Sequence, residues 1–246
     1  MLQPHIQCKK VSKMVLLPGD PSRVDRVAKF LQNPKEIAYN REFKTVVGQY
    51  KDTEITVTST GIGGSSAVIA LEELVSCGGE YFIRIGSCGA TQDYINIGDL
   101  ILSMASVRED GASNMYINNS YPAVCDYQIL STLNKKAKEL NLKHHIGITR
   151  SHDSFYIDDE MQRMRYWNSK NILGSDMETS ALFTVGKLRN VKVGSILNNV
   201  VLYDDDLKEG VNEYVNSEDL AAKGEENEII LALEALNEIN VKLNEE

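Results

Sequence analysis

The sequence lacks the features of membrane, secreted and nucleic-acid-binding proteins. No apolar run approaches the roughly 20 residues of a membrane-spanning helix. No basic stretch followed by an apolar core lies near Met1, so we expect no secretory signal. The formal net charge is -9, whereas surfaces that bind nucleic acid are normally basic. We therefore expect neither a membrane nor a nucleic acid as a partner.

Cysteine is scarce and forms no paired motif. The four cysteines have neither CxxC spacing nor the spacing of metal ligands; they are Cys8, Cys77, Cys88 and Cys125. This pattern is typical of free thiols in a reducing compartment and indicates a cytoplasmic protein with no bound metal. A Gly-x-Ser-x-Gly elbow and a P-loop are also missing, which disfavours serine hydrolases and P-loop NTPases.

Strand and helix patterns alternate along the chain. No linker or internal repeat divides the 246 residues, so we expect a single domain spanning 1–246. The alternation predicts an α/β fold with helices on both sides of a parallel or mixed sheet. Strands are expected near 14–18, 45–60, 81–90, 98–102, 146–150 and 193–201, helices near 21–31, 67–75, 128–140, 176–189 and 219–243, and loops at 107–111 and 121–124.

An arginine interrupts the apolar run Tyr81–Ala90. Burying an unpaired guanidinium costs several kcal/mol, so Arg84 requires a carboxylate or an anionic ligand if this strand is buried. Ser87 and the glycines beside it offer a hydroxyl and backbone N–H groups to such an anion. The alternative is an edge strand on which Arg84 faces water.

Two further segments have both a functional and a structural interpretation. Gly19 links a strand to a helix N-terminus, a layout that attracts phosphate. Arg23 opposes the helix dipole there, which favours a ligand role over that of a solvated surface residue. Ser175-x-x-Glu178 matches a capping box, while the functional alternative makes Glu178 an acceptor for a sugar diol.

Taken together, these motifs closely resemble the nucleoside phosphorylase family, which includes uridine phosphorylase and the hexameric purine nucleoside phosphorylases. The resemblance runs in order from His5 to the C-terminal helix. It rests on the segments Gly19–Val24, Asn40–Phe43, Ser59–Gly63, Arg84–Gly89, Ala105–Arg108 and Met177-Glu178. It implies a three-layer α/β/α sandwich around a mixed, barrel-like sheet. It also implies phosphorolysis, in which a nucleoside and phosphate give a free base and a pentose 1-phosphate.

The same resemblance implies roles for individual residues. Arg84 and Glu178 are the catalytic candidates. Phosphate binding falls to Gly19, Arg23, Arg41, Arg84 and Ser87, ribose binding to His5, Met177 and Glu178, and the base pocket to Cys88, Gly89 and Phe155. His5 and Arg41 match residues lent to a neighbouring subunit, which implies a homodimer or a homohexamer built as a trimer of dimers. No cofactor is implied beyond phosphate as co-substrate, although Glu42, Ile62 and Ser66 match a monovalent-cation site between subunits.

The choice of base stays open. The positions at which uridine phosphorylases hold the uracil edge fall near Asp159 and Met161, so Gln162 close by is the candidate for base binding. The acid of purine enzymes is absent from its expected place, and Asp204 comes a few residues late. Uridine is favoured, with a purine nucleoside as the alternative. A nucleosidase and a catalytically silent nucleoside-binding protein are the further alternatives.

Overall fold

The computed structural model describes residues 3–203 and 219–245, which form one large sheet flanked by helices. Its strands are β1 (Met14–Pro18), β2 (Gln32–Asn40), β3 (Phe43–Tyr50), β4 (Thr53–Thr58), β5 (Tyr81–Ala90), β6 (Leu100–Glu109), β7 (Ala123–Val124), β8 (His144–His152), β9 (Gly174–Asp176) and β10 (Lys192–Val201). Its helices are α1 (Pro21–Ala28), α2 (Gly64–Ser76), α3 (Gly111–Tyr116), α4 (Tyr127–Glu139), α5 (Glu160–Asn168), α6 (Thr179–Leu188) and α7 (Asp219–Glu245).

Part of the sheet closes on itself. The strand order is β10-β6-β8-β9-β5-β1-β4-β3-β2, and an additional pairing of β10 with β5 makes a ring of β10, β6, β8, β9 and β5. β5 pairs in parallel with β1 and β10 and antiparallel with β9. This strand is therefore central to both the ring and the open part of the sheet.

The central strands carry apolar residues on both faces. Met14 and Leu16 of β1 pack into a cluster with α1, α4 and α7, whereas Val15 and Leu17 pack into a second cluster with α2 and α6. Successive side chains of a strand point to opposite faces, so a strand covered on both sides must be apolar throughout. The layered α/β architecture with a barrel-like mixed sheet is thereby confirmed.

The structure differs from the expected elements at several places. α3, α5 and β9 were not predicted, and the helix expected from residue 176 begins at Thr179. Residues 107–109 continue β6, and Ala123-Val124 pairs with that strand, so the predicted loops at 107–111 and 121–124 are partly wrong. β2 was not predicted because it is an edge strand that is largely exposed and lacks apolar alternation. Within the described residues, no helix combines the length and apolar character that crossing a membrane requires.

Candidate active site

A cleft of about 1380 Å³ opens where β1, β5 and β10 end. These strands run parallel to one another, so their carboxyl ends meet at the same edge of the sheet. Gly19 follows β1, Gly86 to Gly89 end β5, and Val200 and Val201 end β10, and all of them line the cleft. Ligands of α/β proteins commonly bind at this edge.

Arg84 is buried at the floor of the cleft and is paired with two carboxylates. Its Nε donates to Asp176 Oδ2 at 3.0 Å, and its Nη2 lies 2.5 Å from Glu178 Oε2. Only 3% of Arg84 is exposed, so these carboxylates supply the anionic partner that a buried guanidinium requires. The edge-strand alternative for Arg84 is therefore wrong.

Gly86 makes the position of Arg84 possible. The two residues lie on the same face of β5 because side chains alternate along a strand. A Cβ added at Gly86 would lie only 2.4 Å from Arg84 Nη2 and 2.7 Å from its Cζ. The guanidinium therefore folds back over a backbone position at which a Cβ would force it to move.

Asp176 and Glu178 both pair with Arg84 but have different further hydrogen-bond partners. Asp176 also accepts hydrogen bonds from the Thr179 N–H, the Thr179 hydroxyl and the Ser151 hydroxyl, so its carboxylate is fully occupied. Glu178 Oε1 accepts the N–H of Gly63 at 2.6 Å. Burial raises the pKa of the Glu178 carboxyl, and the charge of Arg84 opposes this effect.

The predicted capping box at Ser175-x-x-Glu178 is wrong. Asp176 accepts the N–H of Thr179 at the start of α6, whereas Ser175 Oγ has no hydrogen-bond partner among the described residues. Glu178 reaches across to Gly63 rather than back to the start of its own helix. Its side chain is thereby directed to the cleft, which it lines.

Arg23 reaches the cleft from the first turn of α1. Its Nε donates to Glu225 Oε2 at 2.9 Å, and its Nη1 donates to the backbone oxygen of Ile85 at 3.2 Å. Nη1 also lies 3.3 Å from Glu228 Oε1. The partners come from β5 and α7, so Arg23 is held at the same edge of the sheet as Arg84.

The opposite part of the cleft is formed by the segment after β8 and by α5. His152, Phe155, Glu160 and Met164 line it together with Cys88 from β5. Burial and the nearby charge of Arg150 lower the pKa of His152, so its imidazole is neutral at neutral pH. Burial likewise raises the pKa of the Cys88 thiol, which is therefore uncharged.

The structure brings most of the predicted site residues to one cavity. The predicted residues that line the cleft are Gly19, Arg23, Arg84, Ser87, Cys88, Gly89, Phe155, Met177 and Glu178, and Glu42, Ile62 and Ser66 line it as well. His5 and Arg41 do not line it. His5 Nδ1 lies 2.6 Å from Glu73 Oε1, and Arg41 is exposed between β2 and β3 with a φ of 53°.

The structure does not place Gln162 in the base pocket. Its side chain is exposed on α5 and is not part of the cavity wall. Residues four apart share a face of a helix, so Glu160 and Met164 face the cleft while Gln162, two residues from each, faces outward. Asp204, considered as a late acid for purines, lies outside the described residues.

Several residues of the site were missed from the sequence. They are Gly86, His152, Glu160, Met164, Glu225 and Glu228. Two of them carry a recognisable signal: Glu225 and Glu228 are three residues apart, so they share a helix face. Both continue the buried face formed by the apolar row from Ile229 to Ile239, because Glu225 lies four residues before Ile229 and Glu228 four before Ala232, so an acidic pair there predicts a buried basic partner.

Comparisons with known proteins find relatives along most of the chain. The family model described as the phosphorylase superfamily matches residues 13–236. The uridine phosphorylase of Thermococcus kodakarensis is 40% identical over 79% of this chain and 76% of its own length. The guanosine phosphorylase of Halorubrum lacusprofundi is 36% identical over 92% of each chain. The crystal structure of uridine phosphorylase from Vibrio fischeri ES114 is 47% identical, covers 96% of this chain and 97% of its own, and superposes with a TM-score of 0.90.

Proposed function

The chain belongs to the phosphorylase superfamily, and on that premise we propose that it is an inorganic-phosphate-dependent nucleoside phosphorylase that favours uridine. The observation that carries the proposal is the meeting of Arg23, Arg84 and Glu178 at one end of one cleft. Two guanidinium groups there suit a phosphate, and the carboxylate beside them suits a sugar diol. Relatives that are named uridine and purine nucleoside phosphorylases support the same activity.

In the proposed reaction, a phosphate oxygen forms a bond to the anomeric carbon of the ribose. The glycosidic bond breaks, and its electron pair leaves with the base nitrogen. Positive charge develops on the sugar, and the bound phosphate is both the nucleophile and the opposite charge. Glu178, held by Gly63 and Arg84, accepts hydrogen bonds from the ribose hydroxyls and thereby positions the sugar over the phosphate.

Base recognition in this proposal falls to Glu160. Its Oε1 lies 3.4 Å from Arg150 Nη1, whereas its Oε2 is buried without a hydrogen-bond partner among the described residues. An unsatisfied buried oxygen costs about 1–3 kcal/mol, which a donor from the ligand would recover. The N3–H of uracil is such a donor, and Phe155 and the neutral His152 complete the wall around it.

A purine nucleoside is the second candidate substrate, and the same Glu160 oxygen favours particular purines. Hypoxanthine and guanine carry an N1–H that can donate a hydrogen bond to this carboxylate, whereas N1 of adenine is itself an acceptor. The Halorubrum lacusprofundi relative is named a guanosine phosphorylase. We therefore expect 6-oxopurine nucleosides to be the competing substrates and adenosine to be a poor one.

The deciding experiment measures base release from uridine, thymidine, inosine, guanosine and adenosine, with and without inorganic phosphate. We expect release from uridine only when phosphate is present. Arg84→Ala should abolish that activity, whereas Arg189→Ala removes an exposed arginine that pairs with Glu72 and should leave it unchanged. Release that is independent of phosphate would indicate a nucleosidase, and binding without release a silent nucleoside-binding protein.

A second test addresses base recognition. Glu160→Gln should raise the KM for uridine while leaving the KM for phosphate unchanged, because Glu160 lies at the base end of the cleft. Glu80→Gln removes an exposed carboxylate paired with Lys13 and is the matched control. An unchanged uridine KM in Glu160→Gln would remove Glu160 from the base site.

We propose further that the active enzyme is a cytoplasmic homodimer or homohexamer whose sites are shared between subunits. His5 and Arg41 support this arrangement because they match residues that serve a neighbour and do not line the chain's own cleft. A monovalent cation held by Glu42, Ile62 and Ser66 between subunits is part of the same proposal, and no other cofactor is included. A fully active monomer in light scattering would contradict it.

A further inference from the structure

A completely buried carboxylate lies behind the proposed phosphate end of the cleft. Glu228, on α7, is completely buried, and neither of its side-chain oxygens has a hydrogen-bond partner among the described residues. Its nearest opposite charge is Arg23, whose Nη1 lies 3.3 Å from Glu228 Oε1. Arg23 lines the cleft and Glu228 does not, so Glu228 acts on a ligand through Arg23.

The phosphate end of the cleft holds more carboxylates than guanidinium groups. Three arginines are paired with four buried carboxylates: Arg23, Arg26 and Arg84 with Asp176, Glu178, Glu225 and Glu228. Arg26 also pairs with Asp20, which is exposed and is not counted in this buried cluster. With every group ionised, this cluster carries a net charge of -1, from three positive and four negative charges. Burying a doubly charged anion there is unfavourable, because like charges repel strongly in a low-dielectric interior.

Glu228 is the carboxylate best suited to lose its charge. Asp176, Glu178 and Glu225 each accept a hydrogen bond of 3.0 Å or less, whereas Glu228 has the longer 3.3 Å contact with Arg23. Burial raises the pKa of Glu178 as well, but Glu178 also accepts the Gly63 N–H at 2.6 Å. Burial raises the pKa of Glu228 to about 8, and the negative charge of Glu225 adds to this effect. The positive charges of Arg23 and Arg84 and the nearby backbone N–H of Gly86 oppose it. The thiol of Cys88, also near Glu228, stays protonated throughout this range because burial raises its pKa.

We propose that Glu228 is a positioning residue that takes up one proton when phosphate binds, which releases Arg23 from competition between the carboxylate and the phosphate. This inference rests on the proposed function, which places phosphate at Arg23 and Arg84. For each anion bound, one proton from solvent converts the Glu228 carboxylate to the neutral acid. Below the pKa of Glu228 the proton is already present, so anion binding should be independent of pH there and weaken above it.

Calorimetry with sulfate tests this inference, because sulfate does not itself titrate near neutral pH. Binding is measured with the full-length protein at several pH values, each in two buffers of different ionisation enthalpy, which gives the number of protons taken up. We expect uptake to approach one proton at the alkaline end. We also expect sulfate affinity to fall about tenfold per pH unit above about pH 8.

Glu228→Gln should remove both the proton uptake and the loss of sulfate affinity at alkaline pH, because a neutral amide of the same shape replaces the protonated acid. This variant should bind sulfate without proton uptake and more tightly than the unmodified protein at the alkaline end. Glu234→Gln is the matched control, since Glu234 lies on the same helix but contacts Tyr50 and Lys51, and it should retain the uptake. Circular dichroism verifies that each variant is folded.

Three results would overturn the proposal. Sulfate binding by the unmodified protein without proton uptake at the alkaline end would refute it and leave the proposed phosphate site standing. Undiminished uptake in Glu228→Gln would assign the proton to another group. No sulfate or phosphate binding at any pH would refute the proposed phosphate site, and this inference with it.

Discussion

Replacing Gly86 with alanine should impair phosphate use more than it impairs folding. The new Cβ would lie 2.4 Å from Arg84 Nη2, so the guanidinium must move away from Asp176 and Glu178. Losing one charge-assisted hydrogen bond to a displaced arginine costs about 1.5–3 kcal/mol. At 1.4 kcal/mol for each factor of ten, kcat/KM for phosphate should fall by about 10- to 100-fold.

The control is the same substitution at Gly194 of β10, a strand that pairs with β5. A Cβ at Gly194 would lie 2.4 Å from Ile129 Cγ2, so the two variants introduce equally close contacts in neighbouring strands. Gly194→Ala disturbs only core packing, and we expect a lower Tm with an unchanged KM for phosphate.

Steady-state phosphorolysis with phosphate varied, at a temperature at which both variants are folded, distinguishes the two effects. The KM for phosphate and kcat should change in Gly86→Ala alone. Wild-type values for both constants in Gly86→Ala would show that Arg84 can occupy another position without loss, and would refute the argument from β5 geometry.

Three other predictions follow from the site. Asp176→Asn should lower the free energy of unfolding by about 3–5 kcal/mol in urea denaturation, because it leaves the buried charge of Arg84 less compensated; a loss below about 1 kcal/mol would contradict this role. Mixing Arg41→Ala with Arg84→Ala subunits should restore roughly a quarter of the activity if the sites are shared in dimers, and no recovery after refolding together would contradict sharing. The pKa of His152 is lower in the folded protein than in the unfolded chain, so the unfolded chain binds more protons as the pH is lowered below about 6.5, and the free energy of unfolding should decrease there. The same dependence of stability on pH in His152→Gln would contradict this.

The sequence predicted the parts of the site that local chemistry determines. An arginine inside the apolar run Tyr81–Ala90 required an anion, and the structure supplies Asp176 and Glu178. The strand, turn and helix around Gly19 were also predicted, because glycine and proline mark such boundaries in a single segment.

Contacts between distant segments were not predictable in this way. Arg23 and Glu225 are 202 residues apart, and nothing in either segment identifies the other as its partner. Gly86 stood out only as a glycine beside Ser87, because the position of the Arg84 side chain over it depends on Asp176 and Glu178. Gln162 was expected at the base because it is close to Asp159 and Met161, where the resemblance placed the residues that hold the uracil edge. The register of α5 turns Glu160 towards the cleft instead.

The two ends of the cleft are built from different kinds of structure. Strand β5, paired with β1, β9 and β10, carries Arg84 and Ser87, so the end of the cleft proposed to hold phosphate is fixed by the core of the sheet. The end proposed to hold the base depends largely on the nine residues of α5 and the segment before it. Sequence change in that short helix can therefore alter which base is accepted while the bond-breaking machinery stays intact. A family with this division can acquire new substrates through small steps, each of which leaves a working catalyst.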